Sequence, residues 1–222
     1  MPRSKVLSGR SEPVYRYIVQ QIFSGRLAQG ERINEMQIAE ACGTSRTPVH
    51  QALKQLELDG IVSIVPNKGI EVVTLTEESV HQIGELQLLF GWVTAKLAMH
   101  NGSAAEFLAL QKLAQECQAD MRSGDLETRI GANTRFYMEM AAIGKNSVMM
   151  PFLRKLFLQA GLVLAERYRD GDACEKQSQM HFEIINALLE QDMGKFRDSI
   201  LPQLVDLYGI EDFYAQIQNG QL

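Results

Sequence analysis

The chain of 222 residues is poor in cysteine and has no long apolar run. Its three cysteines, Cys42, Cys117 and Cys174, are far apart and lack CxxC spacing. Such an odd, scattered set argues against a disulfide framework and against a thiolate zinc site. No apolar run approaches the roughly 18–20 residues that span a bilayer, and the basic N-terminus is followed by no signal-like apolar stretch. We therefore expect a soluble, cytoplasmic protein with no membrane partner.

The short motifs of common enzyme classes are also missing. The sequence contains no GxSxG nucleophile elbow, no HExxH helix, no GxxxxGK[ST] phosphate loop and no GxGxxG dinucleotide fingerprint. Its Ser, His and acidic residues form no constellation beyond chance. We therefore expect a protein that is not an enzyme and has no catalytic residues.

Charge is distributed unevenly along the chain, although the net charge is only -5. Up to Val73 there are nine Lys and Arg against seven Asp and Glu, whereas the remainder has thirteen against twenty. A change of sign between the two parts suggests that they meet different partners. A composition of 45% hydrophobic and 22% charged residues is that of a globular chain rather than a disordered one.

In the first third of the chain, apolar spacing predicts three helices and a hairpin. The helices are predicted from Val14 to Phe23, over 35–42, and from Ser45 or Arg46 to near Asp59. The β-branched runs 61–65 and 70–73 then flank a Pro/Asn/Gly turn, which is typical of a hairpin. Two helices joined by a short turn containing glycine, with a hairpin after them, indicate a winged helix-turn-helix.

The third predicted helix begins with side chains that suit nucleic acid. Opposite its apolar stripe lie hydroxyl, guanidinium, imidazole and amide groups, those of Ser45, Arg46, Thr47, His50 and Gln51. Such groups reach phosphates and base edges, and a helix N-terminus itself favours phosphate. The first part of the chain is therefore predicted to bind DNA.

From Thr74 onwards the sequence pattern is helical only. Thr76 is the predicted N-cap of a long helix, and the capping-box spacing of Ser103 and Glu106 begins the next one. Further helices are predicted over 126–143, 147–169, 174–190 (with Asp172 as N-cap), 194–208 and 211–218. The predicted fold is mostly α: a winged helix-turn-helix at 10–74, a linker at 75–78, and an all-α bundle of six or seven helices at 79–222.

Several of these segments together resemble the GntR family of bacterial transcription regulators. The resemblance lies in GTSRTPVHQAL at 43–53, in LELDGIV at 56–62, and in the wing PNKGIEV at 66–72. The segment IFSGRLAQGE at 22–31 is also similar to the family pattern, with Gln29 where proline is usual. The helical remainder is similar to the FadR-type subfamily, whose FCD domain binds an effector and dimerises.

The resemblance implies that the start of the recognition helix contacts operator DNA and that the wing reaches the minor groove. The DNA-binding residues expected on this basis are Thr44, Ser45, Arg46, Thr47, His50, Gln51, Asn67, Lys68 and Gly69. The family usually has arginine where this chain has His50, and a neutral imidazole cannot make the bidentate contact to guanine. We therefore expect a different base preference at this position and some pH sensitivity of binding.

Many FCD domains hold a divalent metal through an Asp and a His four residues apart and two later histidines. These positions fall at Asn133, Tyr137, His181 and Gln203, of which His181 alone is a good ligand. We therefore expect no metal and no other cofactor. Polar groups that converge inside an apolar bundle satisfy one another or meet a ligand, so these four residues predict an effector pocket, with Arg129 one turn before Asn133 as a partner for an anion.

Together these observations predict a homodimeric regulator that binds double-stranded operator DNA and responds to a metabolite, with an organic acid suggested by the family. Three alternatives stay open from sequence. The chain could be a metal-dependent FCD regulator with a degenerate site, an enzyme acting on the compound that its helical domain binds, or an architectural DNA-binding protein without an effector.

Overall fold

The computed structural model describes residues 9–65, 69–167 and 172–219. Within these ranges it contains ten α-helices and one sheet of two antiparallel strands. The helices are α1 (Ser11–Phe23), α2 (Glu35–Ala41), α3 (Arg46–Leu58), α4 (Glu77–Asn101), α5 (Ala104–Ser123), α6 (Leu126–Ile143), α7 (Met150–Arg167), α8 (Asp172–Leu189), α9 (Met193–Tyr208) and α10 (Glu211–Gln218), and the strands are β1 (Val62–Val65) and β2 (Gly69–Val72).

The N-terminal module is a winged helix-turn-helix, as the sequence predicts. Helix α1 packs against α3 through side chains that recur every three or four residues, and Ile18 and Leu53 are completely buried there. Burial of one such side chain stabilises the fold by about 1.5–3 kcal/mol. Gly43, at φ of +57°, makes the turn between α2 and α3, a conformation that most other residues adopt only with strain.

The wing is held against the module by a third extended segment. β1 and β2 pair in register from Val62 with Val72 to Val65 with Gly69. Arg32 forms an isolated antiparallel bridge with Glu71, and the amide of Ile33 donates to the Ile70 carbonyl at 2.8 Å. The loop before α2 therefore lies beside β2 and faces the same surface as the wing.

The second part of the chain is a helical bundle built around the long helix α4. Helix α4 packs against α6, α7 and α9, while α5 packs against α6 and α8. The helix ends are capped as the sequence predicts: Thr76 accepts a hydrogen bond from the amide of Ser79, and Ser103 and Glu106 form a capping box. In the described residues, seven helices follow the wing, so the predicted mostly-α fold is confirmed.

The structure differs from the sequence-based elements at a few points. Helix α7 begins at Met150 rather than near 147, and Asp172, expected as an N-cap, is already the first residue of α8. Helix α4 begins at Glu77, inside the expected linker at 75–78.

The two modules touch along α7. The ring of Phe23 packs on Gly161, where a Cβ atom would lie within 2.4 Å of the Phe23 ring. Gln29 bridges three segments, because its Oε1 accepts from the Leu75 amide at 2.9 Å and its Nε2 donates to the Leu162 carbonyl at 3.4 Å. Helix α7 therefore contacts the winged helix-turn-helix directly, and Gln29 ties this contact to the segment before α4.

Across the parts of the chain that are described, no helix has both the length and the apolar character needed to cross a membrane.

Candidate DNA-binding surface and effector cavity

The start of α3 presents polar side chains on an apolar support. Ser45 is the N-cap in extended conformation, and its side chain makes no capping hydrogen bond, so its hydroxyl is available to another partner. Ser45, Arg46, Thr47 and His50 are exposed, whereas Val49 in the same turn is buried. The first turn of α3 thus offers its N–H groups, a guanidinium and hydroxyls to solvent.

A cleft separates the start of α3 from the wing. This open cleft has a volume of about 600 Å³, and its polar lining residues include Arg32, Asn34, Glu35 and Arg46. Both arginines are exposed, and two guanidinium groups in one concave surface suit the phosphates at a groove edge. Sequence reasoning missed Arg32, because only its pairing with Glu71 in the wing brings it to this surface.

The remaining residues expected at the DNA lie in different surroundings. Gln51 is exposed on α3, and Gly69 is exposed at the start of β2 with open space around it. The hydroxyl oxygen of Thr44 is buried and has no hydrogen-bond partner, so it faces the protein rather than the cleft. Asn67 and Lys68 lie outside the described residues.

In the helical domain, most of the expected effector residues surround one cavity. Asn133 and Tyr137 from α6 and Gln203 from α9 line it, and α4, α7 and α8 complete its walls. The cavity volume is about 40 Å³, which is room for two or three water molecules and far below that of a typical ligand pocket. A metabolite can therefore enter this cavity only if the helices around it separate.

His181 does not line this cavity but lies behind its wall, bonded to the lining residue Asn133, and is fully buried. Its Nε2 lies 3.0 Å from Oδ1 of Asn133, and its ring stacks on Phe136 at a centroid distance of 3.9 Å. Because an amide oxygen only accepts, Nε2 carries the proton, and Nδ1 is a buried acceptor without a partner. Desolvation by burial lowers the pKa of His181 from 6.5 to about 3, so the imidazole is neutral at physiological pH.

Of the expected effector residues, Tyr137 lines the cavity and Arg129 does not. Tyr137 stacks on Phe157 of α7 at a centroid distance of 5.3 Å, and its hydroxyl donates to the sulfur of Met180 at 3.9 Å. Arg129 does not line the cavity, and its buried Nε has no hydrogen-bond partner. Two lining residues that sequence reasoning did not select, Gln87 and Tyr208, are joined by a 2.8 Å hydrogen bond across the cavity rim.

The residues at the family's metal position do not suit a metal ion. His181 is the one nitrogen ligand among the four, and its Nε2 is already bonded to Asn133, while Phe136 covers the ring face. Amide and phenol groups are weak ligands for borderline divalent cations. Among the described residues, no group of three or more His, Cys, Asp or Glu is placed to hold a metal.

Comparison with known proteins finds a family match for each of the two modules. Residues 10–72 match the model described as "Bacterial regulatory proteins, gntR family", and residues 85–201 match that of the FCD domain. An HTH-type regulator of Agrobacterium vitis, encoded in the TAR-I ttuE-ttuC' intergenic region, is 34% identical over 138 residues, which cover 61% of this chain and 81% of that protein. YdhC of Bacillus subtilis is 29% identical over 116 residues, about half of either chain.

Solved structures agree at the level of the fold. Escherichia coli McbR/YncC superposes with a TM-score of 0.77 at 21% identity, over 95% of this chain and 100% of that chain. A GntR regulator from Rhodococcus sp. RHA1 gives a TM-score of 0.68 at 18% identity, over 91% of this chain and 99% of that chain. The chain therefore belongs to the GntR family of bacterial regulatory proteins and is a DNA-binding transcriptional regulator with an FCD domain.

Proposed function

We propose that the protein acts in the cytoplasm as a homodimer of the FadR-type subfamily. In this proposal it binds a two-fold symmetric operator through its winged helices, and a metabolite held in the cavity between α4, α6, α7, α8 and α9 controls that binding. The effector site works without a metal, because one imidazole, already bonded to Asn133, is the best ligand there.

The observation that carries the DNA-binding part is the cleft between α3 and the wing. Arg46 and Arg32 both line it, and the side chain of Ser45, next to Arg46 in the chain, makes no capping hydrogen bond. With α3 in the major groove, Arg46 reads base edges, while Arg32 contacts phosphate. Phosphate contacts supply most of the salt-dependent affinity, and base contacts supply the choice of site.

An apolar face on α4 supports the dimer. Leu86, Leu89 and Val93 fall at positions i, i+3 and i+7 of the helix, and each is exposed by 45% or more. Helix α7, which packs against α4, adds Phe152, which is 61% exposed. Large exposed apolar patches mark interaction sites, and a second copy of the same face gives the two-fold symmetry that a palindromic operator requires.

Helix α7 connects the cavity to the DNA-binding module. It lines the cavity with Phe157 and Leu164, and it contacts the winged helix through Gly161 and Leu162. A ligand that separates the helices around the cavity shifts α7. This shift changes the placement of the winged helix-turn-helix modules. Control of this kind requires that the ligand bind the DNA-competent and incompetent forms with different affinity.

Selection of binding sites from a pool of random duplexes tests the proposal. The full-length chain is expected to enrich a pseudo-palindrome whose half-sites lie about one helical turn, or a multiple of it, apart. Each selected duplex should bind as one dimer. Recovery of no preferred duplex at low ionic strength would refute the proposal, and recovery of single half-sites would refute its dimeric form.

A further inference from the structure

In the part of the chain that the structure describes, the wall of the cavity between the helices of the FCD domain is uncharged. Of the described residues that line it, none carries an acidic or basic side chain. Its polar groups are four amides and two phenols, from Gln87, Asn133, Gln177, Gln203, Tyr137 and Tyr208. The remaining lining side chains are apolar, with Phe157, Phe196 and Leu207 among them.

Among the described residues, the cationic groups of the surrounding helices do not line this cavity. His181, behind the wall, is held neutral by the burial that lowers its pKa to about 3. Arg129 does not line the cavity. The guanidinium of Arg167 does not line the cavity either, and it donates to the Leu207 carbonyl at 2.6 Å and to Glu77 at 3.1 Å.

These surroundings select against a charged ligand. A carboxylate transferred from water into a cavity without a cation or a metal loses several kcal/mol of hydration, which amide groups repay only in part. An uncharged ligand loses much less hydration free energy on entering the cavity. The amide and phenol groups of the wall can both donate hydrogen bonds to it and accept them from it.

We propose that the cavity binds an uncharged ligand with an apolar or aromatic body and an amide-like or hydroxyl group, and that it discriminates against the matching carboxylate. The inference rests on the effector site of the proposed function and departs from the organic acid that family resemblance suggests. Once the helices around the cavity have separated to admit the ligand, its aromatic body packs on Phe157 and Phe196, and its polar group meets the amides of Asn133 and Gln203.

Matched pairs of small probes test this inference on the full-length protein. Nicotinamide and nicotinate, and benzamide and benzoate, are compared in the millimolar range by saturation-transfer NMR and by titration of the protein amide signals. We expect each amide to bind at least about tenfold more tightly than its acid, because only the acid must lose the hydration of a charge.

Two glycine variants locate the binding. Gly91 lines the cavity, and a Cβ there would meet only Ile200 Cδ1 at 3.7 Å, so Gly91→Leu fills the cavity with little backbone cost. Gly131, also inside a helix, has open space around a Cβ, and Gly131→Leu is the matched control. Amide binding should disappear in Gly91→Leu and persist in Gly131→Leu.

A third variant should reverse the preference for each amide over its acid. Gln203→Lys places a cation in the wall and should favour the acid of each pair. Equal or tighter binding of the acids by the wild type overturns the inference, as does an absence of amide binding or amide binding that survives Gly91→Leu. Operator binding is measured on the same preparations: its absence counts against the proposed function, whereas the probe preference decides the ligand class alone.

Discussion

The Nε2 atom of His181 lies 3.0 Å from Oδ1 of Asn133, so a buried neutral hydrogen bond joins α8 to α6 where the family often carries metal ligands. The pair is enclosed by the ring of Phe136. A neutral imidazole in this place fixes the two helices without a charge, and the cavity beside it is accordingly lined by amides and apolar groups. Because burial disfavours the charged form of this imidazole, the stability of the domain depends on pH.

His181 should make the protein less stable in mild acid. Its pKa is about 3 in the folded chain against 6.5 when unfolded, so the unfolded chain takes up the proton first as the pH falls. The stabilising contribution is complete above about pH 6.5 and is lost progressively towards pH 3. We expect the free energy of unfolding to fall by about 1 kcal/mol between pH 6.5 and 5.5 through this group alone.

Urea unfolding at the two pH values measures this effect. In His181→Gln the difference between pH 6.5 and 5.5 should shrink by that amount, whatever the loss of stability at neutral pH. His50→Gln, at an exposed position on α3, should keep the wild-type difference. An unchanged pH dependence in His181→Gln would show that the imidazole is not held neutral.

Much of the fold can be predicted from the sequence because its signals are local. The capping box of Ser103 and Glu106, the N-cap Thr76 and the pairing of β1 with β2 depend on neighbouring residues, and the bounds of α6 and α10 follow from periodicity. Burial along α4 shows the limit of such local signals. Ile83 is buried while Leu86 and Val93 are exposed, because the neighbouring helices cover only part of α4.

The candidate site residues also fall into those that the sequence predicts and those that it does not. Asn133, Tyr137 and His181 meet because the family spacing locates them on facing helices, α6 and α8. Arg32 and Gln87 could not be selected from sequence, since each reaches its site only through a tertiary contact, with Glu71 in the wing or with Tyr208 on α9. Arg129 is on the expected helix but does not line the cavity, which sequence spacing alone does not reveal.

Leu89→Lys should disrupt the dimer. The substitution places a charge in the exposed apolar face of α4, and burial of an unpaired ammonium against a second copy is unfavourable. Sedimentation velocity should show a shift towards monomer. Operator affinity should also fall, because the two winged helix-turn-helix modules are no longer held together. Leu108→Lys on α5, at a residue that is 66% exposed, is the control and should stay dimeric. An intact Leu89→Lys dimer would place the interface elsewhere.

Gln29→Ala should loosen the junction between the modules. The substitution removes the hydrogen bonds to the Leu75 amide and the Leu162 carbonyl, each worth about 0.5–1.5 kcal/mol. Hydrogen exchange at the Leu75 amide should accelerate by about tenfold if roughly 1.4 kcal/mol of protection is lost. Gln37→Ala, at an exposed position on α2, should leave this exchange unchanged. Equal exchange in the wild type and Gln29→Ala would exclude the bridge.

Arg32→Ala should weaken binding to the operator and to unrelated DNA sequences alike. A phosphate contact contributes equally to operator and scrambled duplex, so both affinities should fall by a similar factor. The slope of log affinity against log salt should decrease in magnitude by about 1. Fluorescence anisotropy at several salt concentrations measures both quantities. A loss confined to the operator would instead assign Arg32 to base recognition.

The most direct test of the account is the affinity of Arg46→Ala for the selected operator, measured by anisotropy against the wild type at fixed salt. We predict a loss of about 1–3 kcal/mol on the operator and a much smaller loss on a scrambled duplex. Lys112→Ala, which removes the same charge from the exposed face of α5, should bind as the wild type does. Unchanged operator affinity in Arg46→Ala, with the fold intact by circular dichroism, would contradict the placement of α3 on DNA.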